Sequence, residues 1–343
     1  MKSMFRRKPG LSAIAVAAAL AATGALAQKT ELLVYTALET DQLKAYTESF
    51  QKTNPNIDLK FVRDSTGVIT AKILAEKANP QADVILGVSA SSLEIFKAEG
   101  MLAPYAPAGF DKLTATFSDT SRPPSWVGMD VYAAVVCYNT VEGQKKGIPK
   151  PESWADLAKP VYKGQVTMPN PASSGTGYLS VSGWLQVMGE AGGWKYMDQL
   201  HENVAQYTHS GSKPCRQSGA GEFVVGISFD FRGNDVKQKG APVDLVFPKE
   251  GLGWDVESSG IVKATKKMDA AKKLMDWVAT KEANMAYAKN FALVAHPEVK
   301  PSLPHIPADL DKKIIKNNFA FAASNREKIL AEWQKRYGAK SEK

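Results

Sequence analysis

Cysteine is nearly absent from this chain: Cys137 and Cys215 are the only two among 343 residues. With no Cys-x-x-Cys pair, thiolate metal sites and dithiol redox motifs of that spacing are excluded. Histidine is almost as scarce, and none of His201, His209, His296 and His305 has the i, i+4 spacing of a zinc-binding helix. A solvated or core role accounts for all four better than catalysis does. Past residue 27 no apolar run is long enough to span a bilayer. A dense basic surface is missing too. Lys2, Arg6, Arg7 and Lys8 precede every acid, and without them 39 basic residues face 35 acidic ones. That balance argues against a nucleic-acid binder. The remaining composition, 44% hydrophobic and 23% charged, is that of a globular protein long enough for two domains.

The first 27 residues read as an export signal. Residues Met1–Gly10 are basic, Leu11–Ala27 carry no charge, and the stretch closes on Ala25-Leu26-Ala27, a small-x-small cleavage pattern. The mature protein is expected to start at Gln28 and to reside in a bacterial periplasm. That compartment is oxidising, which favours a Cys137–Cys215 disulfide; two buried free thiols are the alternative.

Beyond the signal, the chain alternates between strand and helix patterns. Leu32–Tyr35, Leu59–Val62 and Ala82–Leu86 read as strands. They are separated by helical spacing over Asp41–Gln51, Val68–Asn79 and Ser91–Glu99. The pattern predicts parallel strands with right-handed crossovers. Tyr132–Tyr138, Val166–Met168, Gln206–Thr208 and Phe223–Phe229 are further strands, and Thr176–Gly189 a further helix. The tail is helical over Asp269–Thr280, Glu282–Asn290 and Ala323–Tyr337.

The strand-to-helix turns carry small hydroxyl and glycine residues. They are Thr36-Ala37-Leu38-Glu39, Asp64-Ser65-Thr66-Gly67, Gly87 to Ser91, and Asn170 to Gly177. In an open parallel sheet such turns gather at the carboxyl ends of the strands, where ligands bind. Helix N-termini there offer free amides and a positive dipole end to an anion. Each turn taken singly is equally an ordinary helix cap. The run Ser173-Ser174-Gly175-Thr176-Gly177, opening an apolar helix, is the most specific of them. It is no phosphate-binding P-loop, because no Gly-Lys-Ser/Thr follows, and no nucleophile elbow. Two acids stand out: Glu39 in the first turn, and Asp230 at a strand end between Phe229 and Phe231. Asp230 is either a salt-bridge partner of Arg232 or a ligand contact. Trp254 is either a pocket wall or core.

The signal, the opening Leu32-Leu33-Val34-Tyr35-Thr36-Ala37-Leu38-Glu39 and the order of elements resemble periplasmic solute-binding proteins of ABC importers, over nearly the whole mature chain. Within that class, which includes ferric-ion, polyamine and small-anion binders, the chain is similar to the 2-aminoethylphosphonate-binding proteins. The stretches Tyr35–Glu39, Pro169–Gly177, Ser210–Cys215 and Gly226–Arg232 carry the similarity. Adjacent tyrosines, usual in the ferric branch, are lacking. The resemblance implies a two-lobed α/β (type II) periplasmic binding protein, with mixed, mostly parallel sheets flanked by helices and the ligand in the interlobe cleft. Lobe one would comprise residues 28–131 and about 232–290, lobe two residues 132–231, and residues 291–343 a C-terminal helical segment. The implied ligand set is Thr36, Leu38, Glu39, Ser65, Thr66, Ser89, Tyr138, Ser173, Ser174, Gly175, Thr176, Asp230, Arg232 and Trp254. In it the hydroxyls and helix amides hold the phosphonate, and Glu39 and Asp230 the ammonium. No catalysis, cofactor, metal or nucleic acid is implied. The partners are a small phosphonate and a membrane permease, and the protein is expected to be a monomer. A binder of another small anion, a polyamine or ferric ion, and a periplasmic hydrolase using a turn serine, are the competing readings.

Overall fold

The computed structural model describes Met1 and residues 29–342, so the expected signal and its cleavage point lie outside the described residues. The first third is a run of β-α units: β1 Thr30–Thr36, α1 Thr40–Thr53, β2 Ile57–Arg63, α2 Thr66–Ala75, β3 Val84–Ser89 and α3 Ala90–Ala98, then the short β4 Leu102–Ala103. The middle third holds β5 Val127–Asn139, α4 Thr140–Lys146, β6 Val166–Pro169, α5 Gly175–Asn203, β7 Val204–Thr208, α6 Lys213–Gly219, β8 Val225–Phe229 and α7 Asp230–Gln238. It is followed by β9 Val243–Val246, β10 Trp254–Val262, α8 Met268–Val278, α9 Lys281–Tyr287, α10 Leu310–Lys313, α11 Phe319–Ser324 and α12 Arg326–Tyr337.

The strand order is β2-β1-β3-β10-β5-β8-β6-β7, with β4 added on β10 and β9 on β5. Pairs β1–β2, β1–β3, β6–β7 and β6–β8 are parallel, as helical crossovers require. β5 is antiparallel to every neighbour, and it joins the two halves. Its residues 127–133 pair with β10, and residues 134–139 pair with β8 and β9. All thirteen of its residues are buried, as expected of a strand shared by two sheets with both faces covered.

The lobe boundaries differ from expectation on the return path. The chain was expected to re-enter lobe one near Arg232. Instead α7 packs on β5, β8 and β9, and β9 pairs with the second half of β5. The return therefore falls between β9 and β10. The tail belongs to neither lobe alone. α11 packs on α3, whereas α12 lies on lobe two, with Trp333 edge-on to Tyr207 and Tyr337 bonded to Asp198 at 2.7 Å. The expected helix Ala323–Tyr337 is split at Asn325. The helix expected to end at Gly189 does turn there: Gly189 has φ 72°, and a second helical stretch continues to Asn203.

Cys137 on β5 and Cys215 on α6 form a disulfide, with Cα atoms 5.4 Å apart. It lies in a small apolar cluster with Val236 and Val243. Among the described residues no helix is long and apolar enough to cross a membrane.

Candidate functional site

Three helices start at one cleft between the lobes. α2 follows Ser65, α3 follows Ser89, and α5 follows Ser174. Ser65 and Ser174 have extended backbone, so the chain turns there from a loop into the helix. The helix starts bring their first amides to the cleft, some already taken: Gly67 donates to the Ser173 carbonyl, Ser91 to Asp255 and Gly177 to Ser174. Ser65, Thr66, Ser89, Ser174, Gly175 and Thr176 line the cleft, which is narrow, with about 40 Å³ of cavity volume, and partly open to solvent. Ser174 is held in place by its own helix, its Oγ accepting from the Gly177 amide at 3.3 Å. Ser89 is bonded to the Tyr132 hydroxyl. Arg63, at the end of β2, brings a cation to the same wall; its Nε donates to the Leu38 carbonyl at 2.9 Å. Hydroxyls, helix amides and one guanidinium make a wall of donors suited to an oxyanion.

The lobes meet around this wall. The Gly67 amide donates to the Ser173 carbonyl at 2.9 Å, and a side chain at Gly67 would collide with the Ala172 carbonyl. His209 Nε2 lies 2.8 Å from Asp64 Oδ1. Glu39, in the first lobe, is bonded to Ser212 of the second and faces three guanidiniums: Arg232 at 3.3 Å, Arg63 at 3.4 Å and Arg216 at 3.8 Å. Arg232 is buried, its side chain 2% exposed, and also reaches Asp41 at 3.4 Å and Asp235 at 2.6 Å.

The base of the cleft is acidic. Glu257 on β10 lines it and stands opposite Asp130 in the β10–β5 ladder. Asp230, the first residue of α7, is buried nearby and accepts from the Ala133 amide at 3.1 Å. Among the described residues, both oxygens of Asp130, Glu257 Oε2 and Asp230 Oδ2 have no hydrogen-bond partner. Burial, and then the neighbouring carboxylates, push Asp130 and Glu257 well above the usual carboxylate range. Burial raises Asp230 to about 7, against the pull of its backbone amides. Asp255, two residues from Glu257, is raised by burial to about 6 although it accepts from the Ser91 hydroxyl at 2.6 Å. No group of three or more His, Cys, Asp or Glu among the described residues is placed to hold a metal ion.

The implied ligand set therefore divides. Glu39, Ser65, Thr66, Ser89, Ser174, Gly175 and Thr176 line the cleft. Ser173 sits at its edge, with Oγ donating to the His209 carbonyl at 2.9 Å. Thr36 is buried under the first turn and accepts from the Leu38 amide at 3.1 Å, while Leu38 packs on Gly87. Tyr138 does not line the cleft: its hydroxyl donates to the Ile148 carbonyl at 2.7 Å, well along β5 into lobe two. Trp254 donates to the Ile315 carbonyl at 2.7 Å and lies edge-on to Phe319, so it is core. Asp230 and Arg232 do not line the cleft either. Nor do they form the salt bridge open to them, since Arg232 pairs with Glu39, Asp41 and Asp235. Sequence reasoning missed Arg63, Tyr132, Gly211, Phe229 and Glu257 as lining residues. Arg63 was detectable as the last residue before the Asp64–Gly67 turn. Glu257 was not, because its strand has the composition of a loop.

Comparison with known proteins agrees with this fold. Residues 79–318 match the family model described as bacterial extracellular solute-binding protein. An uncharacterised protein of Haemophilus influenzae is 32% identical over 275 residues, which is 79% of each chain. A Salmonella typhimurium protein named provisionally as a 2-aminoethylphosphonate-binding periplasmic protein is 22% identical, over 78% of this chain and 77% of its own. Among solved structures, the periplasmic binding protein AfuA of Actinobacillus pleuropneumoniae, with fructose-6-phosphate bound, superposes with a TM-score of 0.82 at 28% identity. That match covers 90% of this chain and 99% of AfuA. With its two-lobed architecture and interlobe cleft, the chain belongs to the bacterial extracellular solute-binding proteins, the solute-capturing components of ABC importers.

Proposed function

We propose that this protein captures a small organic phosphonate or phosphate in the periplasm, 2-aminoethylphosphonate being the ligand we favour, and delivers it to a membrane permease without altering it. The observation that carries the reading is the convergence of Ser65, Thr66, Ser89, Ser174 and Thr176, at three helix starts, with Arg63 on one cleft. A compact tetrahedral anion matches that arrangement because each oxygen finds a hydroxyl or amide donor while the dipole ends supply positive potential. Two lobes in contact around the cleft support capture by closure, the step that creates a surface for a permease to recognise. The Salmonella relative's provisional name agrees with an aminophosphonate. A hexose phosphate is the second reading, favoured by the fructose-6-phosphate in AfuA.

Glu39 fits the ammonium-reading role poorly. Three guanidiniums and Ser212 already occupy its carboxylate. Its stronger role is to tie the lobes together.

Calorimetry with 2-aminoethylphosphonate, ethylphosphonate, fructose-6-phosphate, inorganic phosphate, spermidine and ferric citrate tests the reading. A phosphorus-containing solute is expected to bind at least tenfold tighter than spermidine or iron. Tight binding of iron or spermidine alone would overturn it.

A further inference from the structure

The wall of donors accounts for the anionic end of a solute and leaves the other end without a partner. One side chain is built to meet it. Glu257 lines the cleft, is only 9% exposed, and keeps Oε2 without a hydrogen-bond partner among the described residues. A buried carboxylate oxygen with no N–H or O–H donor of its own costs free energy in the empty protein, and a proton shared with a neighbouring carboxyl offsets that cost only in part. Behind it stands Asp130, its ladder partner on β5, fully buried, with no other donor among the described residues for either oxygen and its carboxyl within hydrogen-bonding reach of Glu257. Directly opposed residues of an antiparallel pair bring their side chains close enough to touch. Two such carboxylates, in a low-dielectric site without a cation, do not both ionise.

The groups facing this pair come from every element around it. Asp230 approaches from α7, Glu39, Gln42 and Tyr46 from α1, and Tyr287 from α9, with Asp255 and Tyr132 flanking on β10 and β5. Among the described residues, no Lys or Arg is ion-paired with Asp130, Glu257 or Asp230. Arg63, the cation lining the cleft, is committed to Glu39.

We propose that Glu257 is the residue that selects the far end of the solute, that Asp130 positions it by sharing one proton with it, and that an ammonium group seated on Glu257 displaces that proton to solvent. The step balances in charge: one positive ammonium enters, one proton leaves, and the pair goes from one negative charge to two. A solute without a cationic end leaves the proton in place and meets an uncompensated, proton-sharing pair. The inference rests on the phosphonate reading given above and names the group that reads the amine.

The test is calorimetry at pH 7 in two buffers of different ionisation enthalpy, which gives the number of protons released per solute bound. The probes are 2-aminoethylphosphonate and ethylphosphonate, each corrected for the ionisation of its own phosphonate as known from titration of the free solute, because the ammonium lowers the second ionisation of the first. Wild type is expected to release between about half a proton and one proton more with the amine than without it. Glu257→Gln is expected to abolish that excess, weaken 2-aminoethylphosphonate by about 30-fold or more, and change ethylphosphonate less than about threefold. Asp130→Asn removes the proton-sharing partner while leaving Glu257 as acceptor. The excess proton release should fall while affinity for the amine is kept or raised, an outcome that a merely structural Asp130 would not give. Melting curves of both solute-free variants, expected to be no less stable than wild type, show that the cleft is intact. Equal affinity of wild type for the two phosphonates, or an unchanged proton excess in Glu257→Gln, overturns the assignment and leaves the phosphonate reading standing. Failure of both phosphonates to bind overturns the two together.

Discussion

Along one side of the cleft, hydroxyls sit at the starts of three helices, beside Arg63 and its ion-pair partner Glu39. At its base, Glu257 and Asp130 face each other from two fully buried strands, with acceptor oxygens that have no donor among the described residues. The first surface is complete without ligand, because its donors are exposed to water or bonded locally. The second is incomplete, because among the described residues no Lys or Arg is paired with Asp130, Glu257 or Asp230 and their buried oxygens lack donors. The contrast teaches where affinity and selectivity come from. A satisfied donor wall binds any suitable anion, whereas an unsatisfied acceptor discriminates, since the wrong solute leaves its cost in place.

The sharpest way to break the comparison is to keep both surfaces and prevent them from meeting the solute together. Gly67→Ala places a methyl group against the Ala172 carbonyl of the opposite lobe. Loss of closure should weaken every solute by about 100-fold or more, roughly 3 kcal/mol, with a larger radius of gyration by X-ray scattering in the presence of ligand. Normal affinity would show that the lobes close without this contact.

A change remote from both surfaces serves as the control. Replacing Cys137 and Cys215 together by Ser removes a link between residues 78 positions apart. Stability should fall by about 2–4 kcal/mol in denaturant titration, with solute affinity changed less than about threefold. Two free thiols in the oxidised wild-type protein would remove the basis of this expectation.

The donor wall is tested by Ser174→Ala, Thr176→Ala and Thr66→Ala. Each removes one hydroxyl from the cleft and should weaken a phosphonate by about 1.5–3 kcal/mol, with similar effects on solutes that have or lack an amine. Unchanged affinity in all three would reduce these turns to ordinary helix caps.

The acidic base is tested by pH. Asp230 is raised in the folded state to about 7, above its unfolded value near 4. The fold therefore holds a proton that the unfolded chain gives up, and this contribution is complete below pH 4 and lost as pH rises through 7. Asp130, Glu257 and Asp255, raised for the same reason, add the same slope. Asp64, Asp119, Asp156 and Asp244, all held low, lose their contributions only below about pH 4. His201, lowered by burial, has the opposite slope near pH 6. The ligand-free protein should thus be more stable at pH 5 than at pH 8, by a few degrees in melting temperature, and Asp230→Asn should flatten the dependence. A wild-type curve that rises from pH 5 to 8, or matches that of Asp230→Asn, would show that water reaches these carboxylates.

The alternation of strand and helix, and with it the two-lobed α/β class, was legible because each parallel strand is a short apolar run bounded by polar turns. The donor wall was legible for a related reason: hydroxyl and glycine residues at strand-to-helix turns announce both a cap and an anion site. The acidic base was not. β10 runs Trp-Asp-Val-Glu-Ser-Ser-Gly-Ile-Val, and neither its composition nor its spacing marks a strand buried along its whole length. Tyr138 and Trp254 erred the other way, since an aromatic beside a turn reads alike whether it faces a pocket or the Ile148 and Ile315 carbonyls.

By itself the sequence determined the local events: which segments become strands, where helices begin, and that their starts carry donors. Those follow from periodicity and capping, which act within a few residues. Only the tertiary structure decided that β5 would carry Asp130 opposite Glu257, that Glu39 would meet three arginines, and that the chain would return to lobe one after β9 rather than near Arg232. Those outcomes depend on register between strands more than a hundred residues apart, and on low-dielectric burial that changes what a carboxylate does.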